Sequence, residues 1–216
     1  RKAEKALQKL NEDLEERVKQ RTNQLHTKFL ELKAAQQALK NQILKSNLFA
    51  EITLRIRESL QLDVILQNTV TEIQRILQAD RVLIYRVLPT GIGYTTTESV
   101  LPQWKSILKT EFPEEVFPEE YRELYSNGKI KAITNINDYY QDVTPCLREF
   151  LTEWQVKAKL VVPILQHQNI WGFMIAHQCT QPRQWTEFEI DLMQQLANQV
   201  GMAISQSQLL EAQQES

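Results

Sequence analysis

Glycine and cysteine are scarce here, with five Gly and two Cys among 216 residues. So few glycines leave no glycine-rich phosphate loop, which excludes the common nucleotide-cradling turns. The two cysteines, Cys146 and Cys179, exclude a disulfide-rich secreted scaffold and are expected to be free thiols in a reducing compartment. The three histidines, His26, His167 and His177, stand at no zinc-like spacing from them. Charge of one sign is lacking too. With 25 Lys+Arg against 27 Asp+Glu, composition alone builds no basic surface for nucleic acid or anionic lipid. No run reaches the roughly 18 apolar residues of a membrane span, and the opening RKAEKALQKL lacks a signal-peptide core. A first residue Arg and a polar, helix-like end predict a soluble fragment of a longer protein.

What is present is organised in blocks. Residues 1 to about 60 hold no Gly and no Pro and are rich in Lys, Glu, Gln, Leu and Ala, which predicts one long helix. Leu7, Leu14, Val18, Leu25, Phe29, Leu32, Leu39 and Ile43, completed by Asn11, Thr22 and Gln36, form a heptad seam with one stutter between Val18 and Thr22. Such a stripe predicts pairing with a second copy, or packing on the chain's own domain. From Asn47 two further helical segments are expected, the second capped by Asp63. Strands follow at Arg81–Leu88 and Gly93–Val100, then a loop-rich stretch with a short helix near Glu119–Ser126 and a strand at Ile130–Ile133. A short helix at Cys146–Trp154 precedes a hairpin of Lys157–Leu165 and Ile170–His177. The last helix opens at Thr186, which with Glu189 forms a capping box. The expected class is α+β: an antiparallel sheet with helices on one face and long loops over a ligand pocket on the other.

Cys146 is the chemically interesting residue. Pro145 at a first helical position puts the thiol in the first turn of a helix, where backbone N–H groups and Arg148 favour the thiolate. A half-buried structural cysteine fits the same residues. Cys179, at a strand end, reads as structural. No oxyanion-forming turn accompanies a Cys–His pair, so hydrolase chemistry is not expected, nor any enzyme activity of this fragment.

Four segments together resemble one family: Ala79–Tyr85, Gly128–Ile133, Cys146 with Val156–Ile164, and Trp171–Trp185. They are similar to the bilin-binding GAF domain of cyanobacteriochromes, relatives of phytochromes, over about residues 47–207. The resemblance implies residues 1–46 as a coiled-coil linker helix, 47–207 as the GAF photosensory domain, and 208–216 as the start of an output helix. It implies a linear tetrapyrrole, usually phycocyanobilin, joined by a thioether to Cys146, with light isomerising its C15=C16 double bond.

Two departures narrow the resemblance. Leu147 stands where most members have His after the anchoring cysteine. Val116, in Glu114-Glu115-Val116-Phe117, stands where many have a second cysteine. Both are similar to the green/red chromatic-acclimation subfamily, in which the bilin changes protonation. That implies Glu115, with Glu114 as rival, as the bilin carboxylate, and Leu147 and Lys159 as its counterweights. His177 matches a family histidine near ring D, and Trp104, Tyr125, Phe150, Trp154 and Trp171 are candidate pocket walls. A carboxylate raises the pKa of a protonated tetrapyrrole, whereas an apolar neighbour or an ammonium lowers it. The resemblance further implies a C-terminal histidine kinase with a response regulator as partner; a homodimer through the N- and C-terminal helices and a cytoplasmic location are expected as well. Two other readings remain: a GAF domain for a diffusible ligand such as a cyclic nucleotide, and a dimerisation adaptor.

Overall fold

The computed structural model describes all residues except 59–60, 91, 113–118, 140–144, 168 and 215–216, and also omits the side chains of 52–53, 55–58, 119–122, 139, 146, 211 and 214. It divides into two units, Arg1–Asn47 and Leu48–Ser216.

The first unit lies within helix α1 (Lys2–Glu58). Good helix formers and pairs such as Arg17–Asp13, at 3.0 Å, support it locally, each pair adding only about 0.3–0.5 kcal/mol. Every apolar seam residue from Leu7 to Ile43 is exposed. The helix runs to Glu58, as the stretch of about 60 residues without Gly or Pro predicts.

The second unit continues with α2 (Leu62–Leu77), β1 (Arg81–Val87), β2 (Gly93–Val100), β3 (Glu111–Phe112), α3 (Glu119–Ser126), β4 (Lys131–Ile133), a 3-10 turn (Ile136–Tyr139), α4 (Pro145–Glu153), β5 (Ala158–Gln166), β6 (Asn169–Gln178) and α5 (Glu187–Gln214). The strands form one antiparallel sheet in the order β3-β2-β1-β6-β5-β4. The fold is α+β. Pro163 is tolerated inside β5 because β4 pairs only with residues 159–161, so nothing on that side needs its missing N–H.

Alternation along each strand sorts its side chains onto two faces. On the first face, Val82, Ile84, Leu160, Val162, Met174 and Ala176 pack under Val70 and Ile73 of α2 and Leu192, Leu196 and Val200 of α5. Each such buried aliphatic side chain is worth roughly 1.5–3 kcal/mol, so this layer carries much of the stability. On the second face, Leu83, Tyr85, Val161, Phe173 and Ile175 meet Tyr125 of α3 and Leu147, Phe150 and Leu151 of α4. Long loops over a ligand pocket were expected on this face, with short helices in the same stretch of chain. The two short amphipathic helices have apolar stripes that only the sheet can bury, so they cover it as well.

The helix ends follow their local chemistry in one case and not in another. At α5, Thr186 N donates to Glu189 Oε2 at 2.8 Å and Glu189 N donates to Thr186 Oγ1 at 3.3 Å, which completes the expected capping box. At α2 the N-cap is Gln61, whose side chain makes no capping bond; Asp63 is already in the first turn, where its charge suits the helix dipole. Asp80 closes the sheet at the pocket end. Its carboxylate accepts from Cys179 N (2.6 Å), Thr180 N (2.8 Å) and Gln178 Nε2 (2.9 Å), tying the start of β1 to the end of β6.

Candidate functional site

The second face gathers most of the residues singled out from the sequence. Pro145 opens α4, so Cys146 is its second residue and Leu147 its third. The Cys146 side chain lies outside the described residues, as do Glu114, Glu115 and Val116 altogether. Leu147 is buried, and one turn later Phe150 is buried beside it in the same cluster. That spacing follows from the helix, where positions three and four apart share a side.

Aromatic rings run across this face in contact with one another. Tyr85 stacks on Phe112 with centroids 4.4 Å apart, Phe112 meets Phe150 at 4.3 Å, and Phe150 leads to Trp154 at 6.2 Å. Tyr125 packs edge-on against Phe173 at 4.9 Å. Lys105 holds its ammonium 4.7 Å above the Trp154 ring. Trp104 is half-buried at the rim. Trp171 was expected with these walls but packs instead with the helix-covered cluster of the first face, its ring under Arg86 at 5.6 Å. The register skips Trp171 itself, since Ile164 pairs with Gly172 and Leu165 with Ile170, and strict alternation does not survive such a bulge.

Next to this apolar wall is a row of basic side chains. Arg81 stands opposite His177, and His177 opposite Lys159, across three adjacent strands. All three are buried, at 1%, 2% and 7% exposure respectively, and all project to the second face by strand alternation. Arg81 has a carboxylate beside it, with Glu98 Oε1 3.1 Å from its Nε, in a geometry too oblique for a hydrogen bond. Among the described residues no carboxylate pairs with Lys159. Burial, and then the charge of Lys131, bring the Lys159 ammonium down to about 7. Burial, then Arg81 and Lys159, hold His177 well below the usual histidine range, so the ring is neutral.

Cys179 sits at the end of this row. Burial pushes its thiol up to about 11, and its Sγ lies 3.9 Å from the Trp154 carbonyl, so it is an inert packing thiol. The sequence reading missed Arg81 and Glu98. Arg81 alternates with Leu83 and Tyr85 at period two, and that alternation was the available signal that it points inward.

The face therefore combines an aromatic wall, a buried cationic row and, at its border, a helix start that carries Cys146. That donor set fits an extended conjugated ligand bearing carboxylates and open to thiol addition.

The sequence model of the GAF domain matches residues 61–204, and the chain belongs to the GAF domain family. Its fold is similar to that of the phycocyanobilin-bound GAF domain from a cyanobacterial phytochrome, at 32% identity and a TM-score of 0.68, covering 76% of this chain and 96% of that one. It is also similar to the blue-light absorbing form of the Thermosynechococcus elongatus PixJ GAF domain, at 31% identity and a TM-score of 0.66, covering 70% of this chain and 89% of that one. A curated relative is the circadian input-output histidine kinase CikA of Thermosynechococcus vestitus, 32% identical over 179 residues, covering 80% of this chain and 24% of the kinase. The chain spans between 17% and 25% of the length of four of its curated relatives. Among the described residues, no helix is long and apolar enough to cross a membrane.

Proposed function

We propose that this chain is a light-sensing input module that holds phycocyanobilin and switches between green- and red-absorbing states by a change of bilin protonation. The observation that carries this reading is Lys159: a lysine buried in the sheet, on the same face as Leu147, with its ammonium brought to about 7 and no carboxylate pairing with it among the described residues. The phycoerythrobilin, phycocyanobilin and biliverdin held by structurally similar GAF and photoreceptor chains support a bilin as the class of ligand.

A bound bilin supplies a protonatable conjugated chain with a photoisomerisable double bond. This chain's residues supply the rest. Cys146 is the thioether anchor, made nucleophilic by the helix start and by Arg148. Glu115, with Glu114 as the alternative, provides the carboxylate that favours a protonated pigment. Leu147 removes a polar partner beside the anchor, and Lys159 disfavours a second positive charge nearby. The aromatic wall excludes water, which strengthens each of these effects. In the longer protein we propose a C-terminal histidine kinase acting on a response regulator, with α1 pairing two copies through its exposed seam in the cytoplasm.

The test is co-expression with bilin synthesis, followed by zinc-induced fluorescence on a denaturing gel and a pH titration of the visible spectrum. The parent carries a covalent pigment that Cys146→Ser loses. Glu115→Gln lowers, and Leu147→His raises, the apparent pKa of the red-to-green transition. Absence of a Cys146-dependent adduct rejects the pigment; an adduct whose titration ignores both substitutions rejects the protonation mechanism.

A further inference from the structure

Arg81 is among the most deeply buried side chains of the protein, and the mechanism above does not use it. Its position is fixed from several sides. Nη2 donates to the Lys105 carbonyl at 2.7 Å, and Nε lies against Glu98 Oε1. Glu98, 3% exposed, is itself held by Ser106 Oγ and by the backbone N–H of Ile107 at 3.1 Å. What remains is Nη1, whose two N–H groups reach Cys179 Sγ at 3.8 Å and His177 Nδ1 at 3.3 Å.

A guanidinium has five N–H donors, no acceptor, and does not lose its proton in a protein. A hydrogen bond between Arg81 Nη1 and His177 Nδ1 therefore requires the lone pair to be on Nδ1. An imidazole protonated there would set N–H against N–H. A doubly protonated ring would add a positive charge beside the Arg81 guanidinium, which faces His177 in register on the neighbouring strand. Only the neutral ring with its proton on Nε2 satisfies the contact.

We propose that Arg81 is a positioning residue that, anchored by Glu98, locks His177 as the Nε2–H tautomer, so that the ring offers the second face a hydrogen-bond donor and no acceptor. A ligand carbonyl or carboxylate oxygen is matched at that point and a ligand N–H is not. The identity of that oxygen rests on the bilin reading; the tautomer does not.

The tautomer is read directly by 15N NMR of the 216-residue chain labelled at histidine and arginine. His26 and His167 are exposed and His177 is buried, so one resonance set stands apart, and His177→Gln assigns it. The expected result in the pigment-free chain is a neutral His177 with its proton on Nε2 and a scalar coupling across the hydrogen bond from Arg81 Nη1 to Nδ1. Arg81→Lys, which keeps a donor, retains the Nε2–H pattern. Arg81→Met with Glu98→Met, which removes the buried pair together, gives a mixture of tautomers. A parent ring protonated on Nδ1, a parent lacking the coupling, or a folded double variant with an unchanged Nε2–H pattern each overturns the proposal. If the double variant does not fold, the coupling in the parent decides. In the pigment-loaded chain the Nε2–H signal moves downfield; failure of that shift alone rejects the bilin contact and leaves the tautomer standing.

Discussion

Lys159 and His177 are paired in register across β5 and β6, both buried on the same face of the sheet, so a basic amine and an imidazole share one low-dielectric environment. Burial of an ammonium costs free energy unless the proton leaves, and that, with the charge of Lys131, is why the Lys159 amine is brought to about 7 rather than the ordinary 10.5. The neutral histidine beside it adds no further charge. The same face carries Leu147, so polarity near the anchor helix is controlled by what is missing as much as by what is there.

The pH dependence of stability follows from that amine. Its folded-state value, about 7, is below its unfolded value, so between pH 7 and pH 10.5 the unfolded chain binds the extra proton and stability rises with pH, by up to about 1.4 kcal/mol per pH unit. Lys159→Met removes this slope. Urea denaturation at pH 6, 8 and 10 should show the variant more stable than the parent at pH 6, with the advantage shrinking as pH rises. An equal difference at all three values would mean that Lys159 keeps its charge throughout.

Gly201 of α5 approaches the sheet so closely that a Cβ there would lie 2.3 Å from the Leu165 carbonyl oxygen. Alanine in mid-helix is worth about 1 kcal/mol over glycine, whereas overpacking against backbone costs roughly 1–3 kcal/mol. The clash wins. Gly201→Ala should lower Tm by up to about 8 °C in a thermal melt, a net loss of up to about 2 kcal/mol at about 2–4 °C per kcal/mol for a chain of this size.

Asp80 holds four described donors at Oδ2: Gln178 Nε2, the Cys179 and Thr180 N–H groups, and Thr180 Oγ1 at 2.9 Å. Asp80→Ala leaves buried N–H groups without an acceptor and should cost about 3 kcal/mol in urea denaturation. Thr180→Ala removes only the exposed hydroxyl and should cost less than about 1 kcal/mol. Comparable losses for the two would refute this assignment of the clasp.

The exposed seam of α1 predicts a dimer. Sedimentation equilibrium should give twice the 25.3 kDa chain mass. Phe29→Lys with Leu32→Lys, which puts charges on adjoining seam positions, should return it to a single chain while leaving the spectrum of a bound pigment unchanged. A monomeric parent would rule out pairing through this helix.

Much of the fold is legible locally. The Thr186–Glu189 box marks the start of α5 because a cap is a contact between residues three apart. The β1–β2 and β5–β6 hairpins show as alternating runs around tight turns, and Pro145 announces α4. The two-residue strand β3 is too short to leave a pattern. Trp171 reads as a pocket wall by chemistry and misleads, because it is the bulged residue of its own strand β6, which resets the face it occupies.

Composition, helical periodicity and the few punctuating residues determine the elements of this protein, since each depends on neighbours a few positions away. The sequence also carries the residues that resemble a bilin site, Cys146 and Lys159 among them. Only the tertiary structure decided that β1 lies against β6, which brings Arg81 opposite His177 although 96 residues separate them. A strand's partner is set by burial summed over two whole faces of a sheet, a quantity that no local stretch of sequence contains. From that pairing come the buried cationic row and the neutral histidine.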